Sequence, residues 1–174
     1  VIAGEKQKQG TYKRGNGNTG TYQRNVQHEK GHTSSSTKWT NAKGGQGSAS
    51  KERTRDPETG TASSTRSVTR PDGRTATWNN EAQKTDNGHT SHGEGTNFRG
   101  EEISTDRSVA NNGDGTRTVS GTVVNETTGK TATVEKLVTK TDTGSTATGT
   151  YVTGAGNTGT VSGATTRDDD GNLN

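Results

Sequence analysis

The chain repeats itself at a nearly fixed interval, and this repetition restricts the fold more than any other feature of the sequence. Three consecutive blocks of 15 residues, Gly115–Gly129, Lys130–Gly144 and Ser145–Gly159, end in the related triplets TTG, DTG and NTG. Gly60–Gly73 and Arg74–Gly88 keep nearly the same length. A fixed period of this kind predicts one supersecondary unit per repeat, with each unit stacked on its neighbours.

Side chains alternate with a period of two inside the blocks, which is typical of a β-strand. In the second block Ala132 and Val134 fall on one face and Thr133 falls on the other. No stretch carries the i, i+3, i+4, i+7 apolar pattern of an amphipathic helix. Threonine, valine, glycine and serine also disfavour helix or favour strand. The sequence therefore predicts an all-β fold.

Reverse-turn sequences separate the expected strands. They include DPETG at 56–60, RPDGR at 70–74 and DNG at 86–88. Glycine supplies positive φ in such turns, proline presets φ, and Asp or Asn bonds its own turn. One strand and one turn in about 15 residues predict an antiparallel meander, which reverses at every turn. A β-solenoid, in which coils stack at a short fixed period, is the alternative.

Hydrophobic residues are too scarce for a conventional core. They make up 18% of the 174 residues, and Leu, Ile, Val and Phe together number 16. Such a composition is typical of disordered chains, yet the net charge of +3 is small for one of them. We therefore expect backbone ladders and neighbouring copies of the chain to provide the order that a core cannot.

The N-terminal part of the chain differs from the rest in motif and in charge. The motif GTYKR returns ten residues later as GTYQR, which predicts a hairpin carrying Tyr12 and Tyr22. The first 51 residues hold nine Lys or Arg and two Glu, whereas the remainder has a net charge of −4. We divide the chain into a basic segment, residues 1–50, and a β-repeat domain, residues 51–174.

Self-association is the expected result of a small core and unequal charge. Val1 and Ile2 form the most apolar pair among the first 25 residues. We predict that they and Ala3 add a strand to a sheet of the next copy, because an added strand satisfies an open sheet edge. The aromatic residues expected to support this assembly are Tyr12, Tyr22 and Trp39.

Cysteine and methionine are both missing from the sequence. Disulfide bonds and thiolate metal sites are therefore excluded, and a first residue other than Met predicts a processed, exported N-terminus. No apolar run approaches the ~18 residues that a membrane-spanning helix needs. We expect a secreted protein, located outside the cell or on its surface, without a membrane span.

The segment TRDPETGTASSTRSVTRPDGRTAT, residues 54–77, resembles the Gly/Thr-rich β-repeat proteins that bacteria secrete. In those proteins DPxTGT and PDGRT turns alternate with short strands. The resemblance extends over residues 51–163, and it departs from the pattern at Arg70, where glycine is more common. It implies an exported bacterial β-protein and carries over no catalytic residue.

Two sets of polar residues suggest metal binding, and neither is complete. Histidines fall at His28, His32, His89 and His92. Their spacing suits imidazole ligands, but nothing in the sequence fixes them in a frame. A second set, a candidate for calcium, consists of Asp168, Asp170 and Asn172. It lacks the bidentate acid that completes a calcium loop, so we assign no metal and no cofactor.

No catalytic set is visible in the sequence. Glu101 and Glu102 are adjacent, and adjacent residues of a strand face opposite ways. Serine and threonine are so abundant that no Ser–His–Asp set stands out. A chain with little core also cannot hold such groups with the precision that chemistry needs. We do not expect an enzyme.

Thr-x-Thr pairs recur along the chain, at 75/77, 116/118, 131/133, 146/148 and 158/160. Such pairs resemble the flat faces of ice-binding β-solenoids, which stack them on one face. In an antiparallel meander the pairs instead alternate between the two ends of the sheet. A monomeric module that binds ice or glycan through a Thr-rich face is therefore the alternative function.

Carbohydrate and nucleic acid are further candidate partners. Asn125 opens the N-glycosylation sequon NET at an expected turn, which makes a glycan on the surface a candidate modification. The basic segment with its aromatic residues has the composition of a polyanion binder. We favour contacts with neighbouring subunits for these residues and do not expect nucleic acid as a partner.

Together these patterns predict a structural protein. We expect the chain to be the subunit of an extracellular homopolymeric filament whose copies join head-to-tail by β-strand pairing.

Overall fold

A computed structural model of the chain describes residues 4–13, 15 and 17–166. Within those ranges the protein is all-β, and its strands form one meander sheet in which each strand is antiparallel to the next. The predicted meander is confirmed, and the solenoid is not the architecture. The strands are β1 (Gly4–Lys13), β2 (Thr19–Glu29), β3 (His32–Thr40), β4 (Gln46–Asp56), β5 (Thr61–Thr69), β6 (Thr75–Thr85), β7 (Gly88–Thr96), β8 (Glu102–Asn111), β9 (Thr116–Asn125), β10 (Lys130–Thr141), β11 (Gly144–Val152) and β12 (Thr158–Thr166).

Each repeat supplies one strand and one turn. Strands β8, β9, β10, β11 and β12 begin at residues 102, 116, 130, 144 and 158, so their spacing is 14 residues. This is one residue shorter than the blocks read from the sequence. The period therefore belongs to a strand of 9–12 residues together with the turn that follows it.

A recurrent loop with a positive-φ glycine reverses the chain at several turns. After β5, the Arg70 N–H donates to the Arg74 carbonyl and the Gly73 N–H donates to the Arg70 carbonyl, both at 2.9 Å. Gly73 has a φ of 81°, which favours glycine. The Asp72 carboxylate accepts a further bond from the Arg74 N–H at 3.1 Å. The same two backbone bonds recur in loops that begin at Asn41, Asn97 and Thr153.

The strands fall into two compact units. Unit 1 contains β1 to β5, the part of β6 up to Glu81, and Gly93–Glu102. Unit 2 contains Ala82–His92 and the chain from Ile103 through β12. The predicted hairpin of β1 and β2 lies in unit 1.

Hydrophobic burial is small in both units. Among the described residues, Val109 is the only buried hydrophobic side chain, with 7% exposure. It lies on β8 opposite Val119 of β9 in unit 2. Val123 and Leu137 are instead 45% and 44% exposed. Cohesion therefore comes mainly from the hydrogen-bonded ladders, at about 0.5–1.5 kcal/mol per bond, and from contacts between side chains of neighbouring strands.

Candidate binding faces

Unit 1 has two chemically different faces. Residues that pair across neighbouring strands share one side of a sheet, and successive residues along a strand point to opposite sides. The register of β1 to β5 therefore assigns every residue of these strands to a face. We call one of them the basic face. Its lysine and arginine residues are Lys6, Lys8, Arg24, Lys51, Arg53, Arg55 and Arg66.

Acidic residues are segregated from this basic face. Over the described residues of β1 to β5, all four carboxylates lie on the opposite face, namely Glu5, Glu29, Glu52 and Asp56. Lys13 and Lys38 share that opposite face with them. The basic face thus carries seven positive charges and no negative one, whereas the opposite face carries charges of both signs.

Two pairs of like charges face each other across strands of the basic face. Lys8 lies directly opposite Arg24, and Lys51 lies directly opposite Arg66. All four side chains are exposed. No carboxylate in the described ranges lies within 4.0 Å of any of them. Like charges in this position destabilise a sheet, so the basic face holds positive potential that the chain itself does not neutralise.

A trough of about 570 Å³ lies between the cations of the basic face. Its charged lining consists of Lys6, Lys8 and Arg24 from β1 and β2, and Lys51 and Arg53 from β4. Between them lie Thr33 and Ser35 of β3, together with Val26 and His28. His28 Nδ1 is 3.2 Å from the Thr33 hydroxyl. The trough therefore combines positive charge with hydroxyl groups.

Two aromatic rings lie next to this trough on the same face. Tyr22 of β2 and Trp39 of β3 are directly opposite each other. Three atoms of the Tyr22 phenol group lie 3.2–3.3 Å from where a Cβ of Gly10 would be, and a Cβ at Gly47 would overlap the Trp39 indole. These residues line a groove of about 680 Å³. Each ring lies against a glycine of the neighbouring strand, and both residues are only half-buried, so part of each side chain stays exposed.

In unit 2, one face of β9 to β12 is composed mainly of hydroxyl groups. We call it the threonine face, and its hydroxyl residues are Thr116, Thr118, Ser120, Thr122, Thr131, Thr133, Thr139, Thr141, Thr146, Thr148, Thr150, Thr158, Thr160, Ser162 and Thr166. The residues that interrupt it are Val124, Glu135, Leu137, Val152 and Ala164. Its rows are about 4.8 Å apart across strands and about 6.8 Å apart along them.

The predicted Thr-x-Thr pairs of these strands share this face but lie at different ends of it. Thr116 pairs with Thr139, and Thr139 pairs with Thr146, so the pairs that begin at Thr116 and Thr146 lie at one end. The pair that begins at Thr131 lies at the other end, opposite Val124. The pairs therefore alternate between the two ends of the threonine face, and further threonines occupy the positions between them.

The histidines within each unit do not form a common site. His28 bonds Thr33 on the basic face, whereas His32 is 3.3 Å from the Thr54 hydroxyl on the opposite face. His92 Nδ1 is 2.8 Å from the Asp106 carboxylate. Within the described ranges, no three side chains of His, Asp or Glu are placed to hold a metal ion.

Several predicted residues have defined positions, and others lie outside the description. Asn125 ends β9, and its Oδ1 accepts the Thr128 N–H at 3.0 Å. It is half-buried at the turn, and its glycosylation stays a prediction. The following candidates lie outside the described residues: Val1, Ile2, Ala3, Asp168, Asp170 and Asn172. In the part of the chain that is described, there is no helix that could cross a lipid bilayer.

The basic face was not predicted from the sequence, although part of its signal is visible there. Lys6 and Lys8 are two residues apart, as are Lys51, Arg53 and Arg55. Alternate cations on a strand share one side, so each run marks a charged strand face. Only the pairing of the strands places both runs on the same side.

The chain has no detectable relative among the proteins compared. No family model, no curated protein and no solved structure matches the chain.

Proposed function

We propose that the protein is the structural subunit of an extracellular homopolymeric filament, in which copies join head-to-tail by β-strand pairing. The observation that supports it best is an ordered sheet in which, among described residues, Val109 alone is a buried hydrophobic residue. Such a sheet gains order by continuing its backbone ladder into the next copy. An extracellular location agrees with the resemblance to secreted repeat proteins.

The ends of the meander suit a head-to-tail joint. β1 and β12 are the first and last strands in the order of the sheet. Because the described meander has an even number of strands, β12 of one copy can meet β1 of the next without breaking the alternation of strand direction. A joint between unlike surfaces of this kind produces open filaments.

Charge favours this joint over pairing of two β1 edges. Two β1 strands would bring Lys6 and Lys8 of both copies together, and like charges across strands are destabilising. β12, residues Thr158–Thr166, contains no charged side chain. β1 therefore pairs with β12 at a lower electrostatic cost than with another β1. The predicted added strand of Val1, Ile2 and Ala3 would extend the same edge.

The test compares an edge variant with a matched interior variant. Thr160→Lys/Ser162→Lys adds two charges to β12, and Thr150→Lys/Thr148→Lys adds two to the residues directly opposite on β11. The edge variant should weaken assembly about tenfold, which corresponds to about 1.4 kcal/mol. The β11 variant should assemble like the parent. Sedimentation velocity and negative-stain imaging provide the measurement, and a parent that stays monomeric at micromolar concentration would contradict the proposal.

The threonine face supports a second candidate, a monomeric module that binds ice or glycan. Its hydroxyl groups are arranged in regular rows, with Thr148 and Thr150 near the middle of β11. If the protein is such a module, the β11 variant should lose adsorption to ice or to an immobilised glycan, because two long lysine side chains would disrupt the rows of hydroxyl groups. If the parent adsorbs as a monomer and the β11 variant does not adsorb, the result favours the binding module over the filament.

A further inference from the structure

We infer that the basic face of unit 1 is a binding site for an acidic polysaccharide, that is, a sugar chain bearing carboxylate or sulfate groups. The site consists of the trough with its cations, Arg66 directly opposite Lys51, and the adjoining rings of Tyr22 and Trp39. It does not depend on filament assembly.

The charge distribution indicates an anionic ligand. Lys51 and Arg66 repel each other across β4 and β5, as Lys8 and Arg24 do across β1 and β2. An anionic group that contacts both members of a pair replaces this repulsion with attraction, and hydrogen bonds to charged groups are stronger than neutral ones. The ligand therefore supplies the negative charge that the basic face lacks.

The surface between the cations indicates a ligand with many hydroxyl groups. Thr33 and Ser35 lie on β3 between the cations of β1 and β2 and those of β4. Hydroxyl groups both donate and accept hydrogen bonds, so they match the hydroxyls of a sugar chain. A polymer lying along β3 would contact these groups and would have cations on both sides.

The aromatic groove extends the same path. Thr33, Ser35 and Trp39 lie on one side of β3, so a chain that leaves the trough along this strand reaches the indole. The negative π face of an aromatic ring attracts the positively polarised C–H groups on the flat side of a sugar. Trp39 and Tyr22 thus offer platforms for sugar rings, and the trough offers charge.

Single-stranded nucleic acid fits this surface less well. Sites for it place aromatic rings along the whole charged path, so that successive bases stack. Here both rings lie at one end, and the trough offers Thr33, Ser35 and His28 to a base. A second copy of the chain is also a poor match through the opposite face of unit 1, because Lys13 and Lys38 lie there among the carboxylates.

The test measures binding of four polymers by titration calorimetry at 0.05 and 0.2 M salt: polygalacturonate, dextran sulfate, uncharged dextran and poly(dT). We expect one or both acidic polysaccharides to bind more tightly than poly(dT) at equal charge concentration, and dextran not to bind. The two acidic polymers distinguish carboxylate from sulfate recognition. Tighter binding of poly(dT) would assign the face to nucleic acid and overturn the inference.

Matched variants locate the site. Lys51→Gln/Arg66→Gln removes two charges from the basic face, and Lys13→Gln/Lys38→Gln removes two from the opposite face. The first should lose about tenfold or more in affinity and show a smaller dependence on salt, because fewer counterions are released. The second should bind like the parent. Equal losses in both variants would show attraction to net charge alone and would overturn the inference.

A third variant tests the platform separately from the charge. Trp39→Phe keeps an aromatic ring over Gly47 with a smaller surface, and it should lower affinity while the salt dependence stays unchanged. Unchanged affinity would show that the larger surface of the indole does not contact the sugar, which contradicts the sugar-specific part of the inference.

Discussion

Lys51 and Arg66 lie directly opposite each other on neighbouring strands, and no carboxylate of the described residues is within 4.0 Å of either. A sheet with so little buried hydrophobic surface has few favourable contributions to its folding free energy that could offset this repulsion. Retaining the pair is therefore unfavourable for folding and favourable for contact with an anion. Stability and binding should respond in opposite directions when the pair is removed.

The first prediction is that Lys51→Gln/Arg66→Gln raises the free energy of unfolding. Removing directly opposed like charges should contribute about 0.2–1 kcal/mol, which corresponds to a rise in Tm of up to about 2–4 °C in a chain of this size. Thermal unfolding at low salt, followed by circular dichroism, gives the measurement.

Lys13→Gln/Lys38→Gln is the control for that measurement. Lys13 lies opposite Thr19, and Lys38 lies opposite Gln23 and Ser48, so neither faces a like charge. Its Tm should stay within about 1 °C of the parent, since exposed substitutions of this kind are nearly neutral. A lower Tm for the Lys51/Arg66 variant would mean that these side chains stabilise the sheet through contacts of their stems.

The second prediction concerns the contact between Gly47 and Trp39. Gly47 is buried, and a Cβ there would overlap the indole, so Gly47→Ala should lower the free energy of unfolding by about 1–3 kcal/mol. Gly163→Ala is the matched control, because no atom lies within 4 Å of the added Cβ. The control should be neutral or slightly stabilising, since alanine loses less backbone entropy on folding. Equal urea midpoints for the two variants would contradict a close ring contact.

The meander was predictable because its determinants are local. Alternation within a block such as Lys130–Gly144 depends on neighbouring residues, and turns such as RPDGR contain the residues that their geometry needs. The hairpin of Tyr12 and Tyr22 was predictable for the same reason, since a repeated motif around one turn pairs with itself. Weak burial also follows directly from the small number of apolar residues.

The basic face was not predictable because it depends on register. Lys51 is an odd-numbered residue and Arg66 an even-numbered one, and only the length of the turn between β4 and β5 puts them on the same side. One residue more or fewer in that turn would move Arg66 to the opposite face. To place Lys6 on the same face as Lys51 and Arg66, one must also know the register of each strand pair between β1 and β4.

The third prediction concerns pH and the turn after β5. The Arg74 guanidinium donates to Asp72 Oδ2 at 2.9 and 2.6 Å, and this bond, with the Arg74 N–H, holds the pKa of Asp72 below its usual value. A carboxylate with a lowered folded pKa stabilises the fold above its unfolded pKa, and this stabilisation is lost as pH falls through the folded pKa. Acidification below about pH 4 should therefore destabilise the parent.

Asp72→Asn should lose this part of the pH dependence. Its unfolding midpoint in urea should lie below that of the parent at pH 7, and the two midpoints should converge as pH falls through the lowered folded pKa of Asp72 in the parent. Arg74→Gln keeps the backbone bond to Asp72, so its urea midpoint at pH 7 should lie between those of the parent and Asp72→Asn. A constant difference between Asp72→Asn and the parent across the whole pH range would show that the side chain acts through turn geometry and not through its charge.

The last prediction separates the two kinds of contact by their response to salt. Pairing of β1 with β12 relies on backbone hydrogen bonds, since β12 has no charged side chain, so assembly of the parent should change little between 0.1 and 1 M salt. The defect of Thr160→Lys/Ser162→Lys arises from repulsion by Lys6 and Lys8, and it should shrink as the screening length falls from ~10 to ~3 Å. Sedimentation velocity across this range provides the measurement, with the β11 variant as the control that carries the same added charge. If salt leaves the edge variant as defective as before, the lysines act by blocking the edge sterically. If salt dissolves the parent assembly, the basic N-terminal part and the acidic remainder hold the copies together, and strand pairing is not the joint.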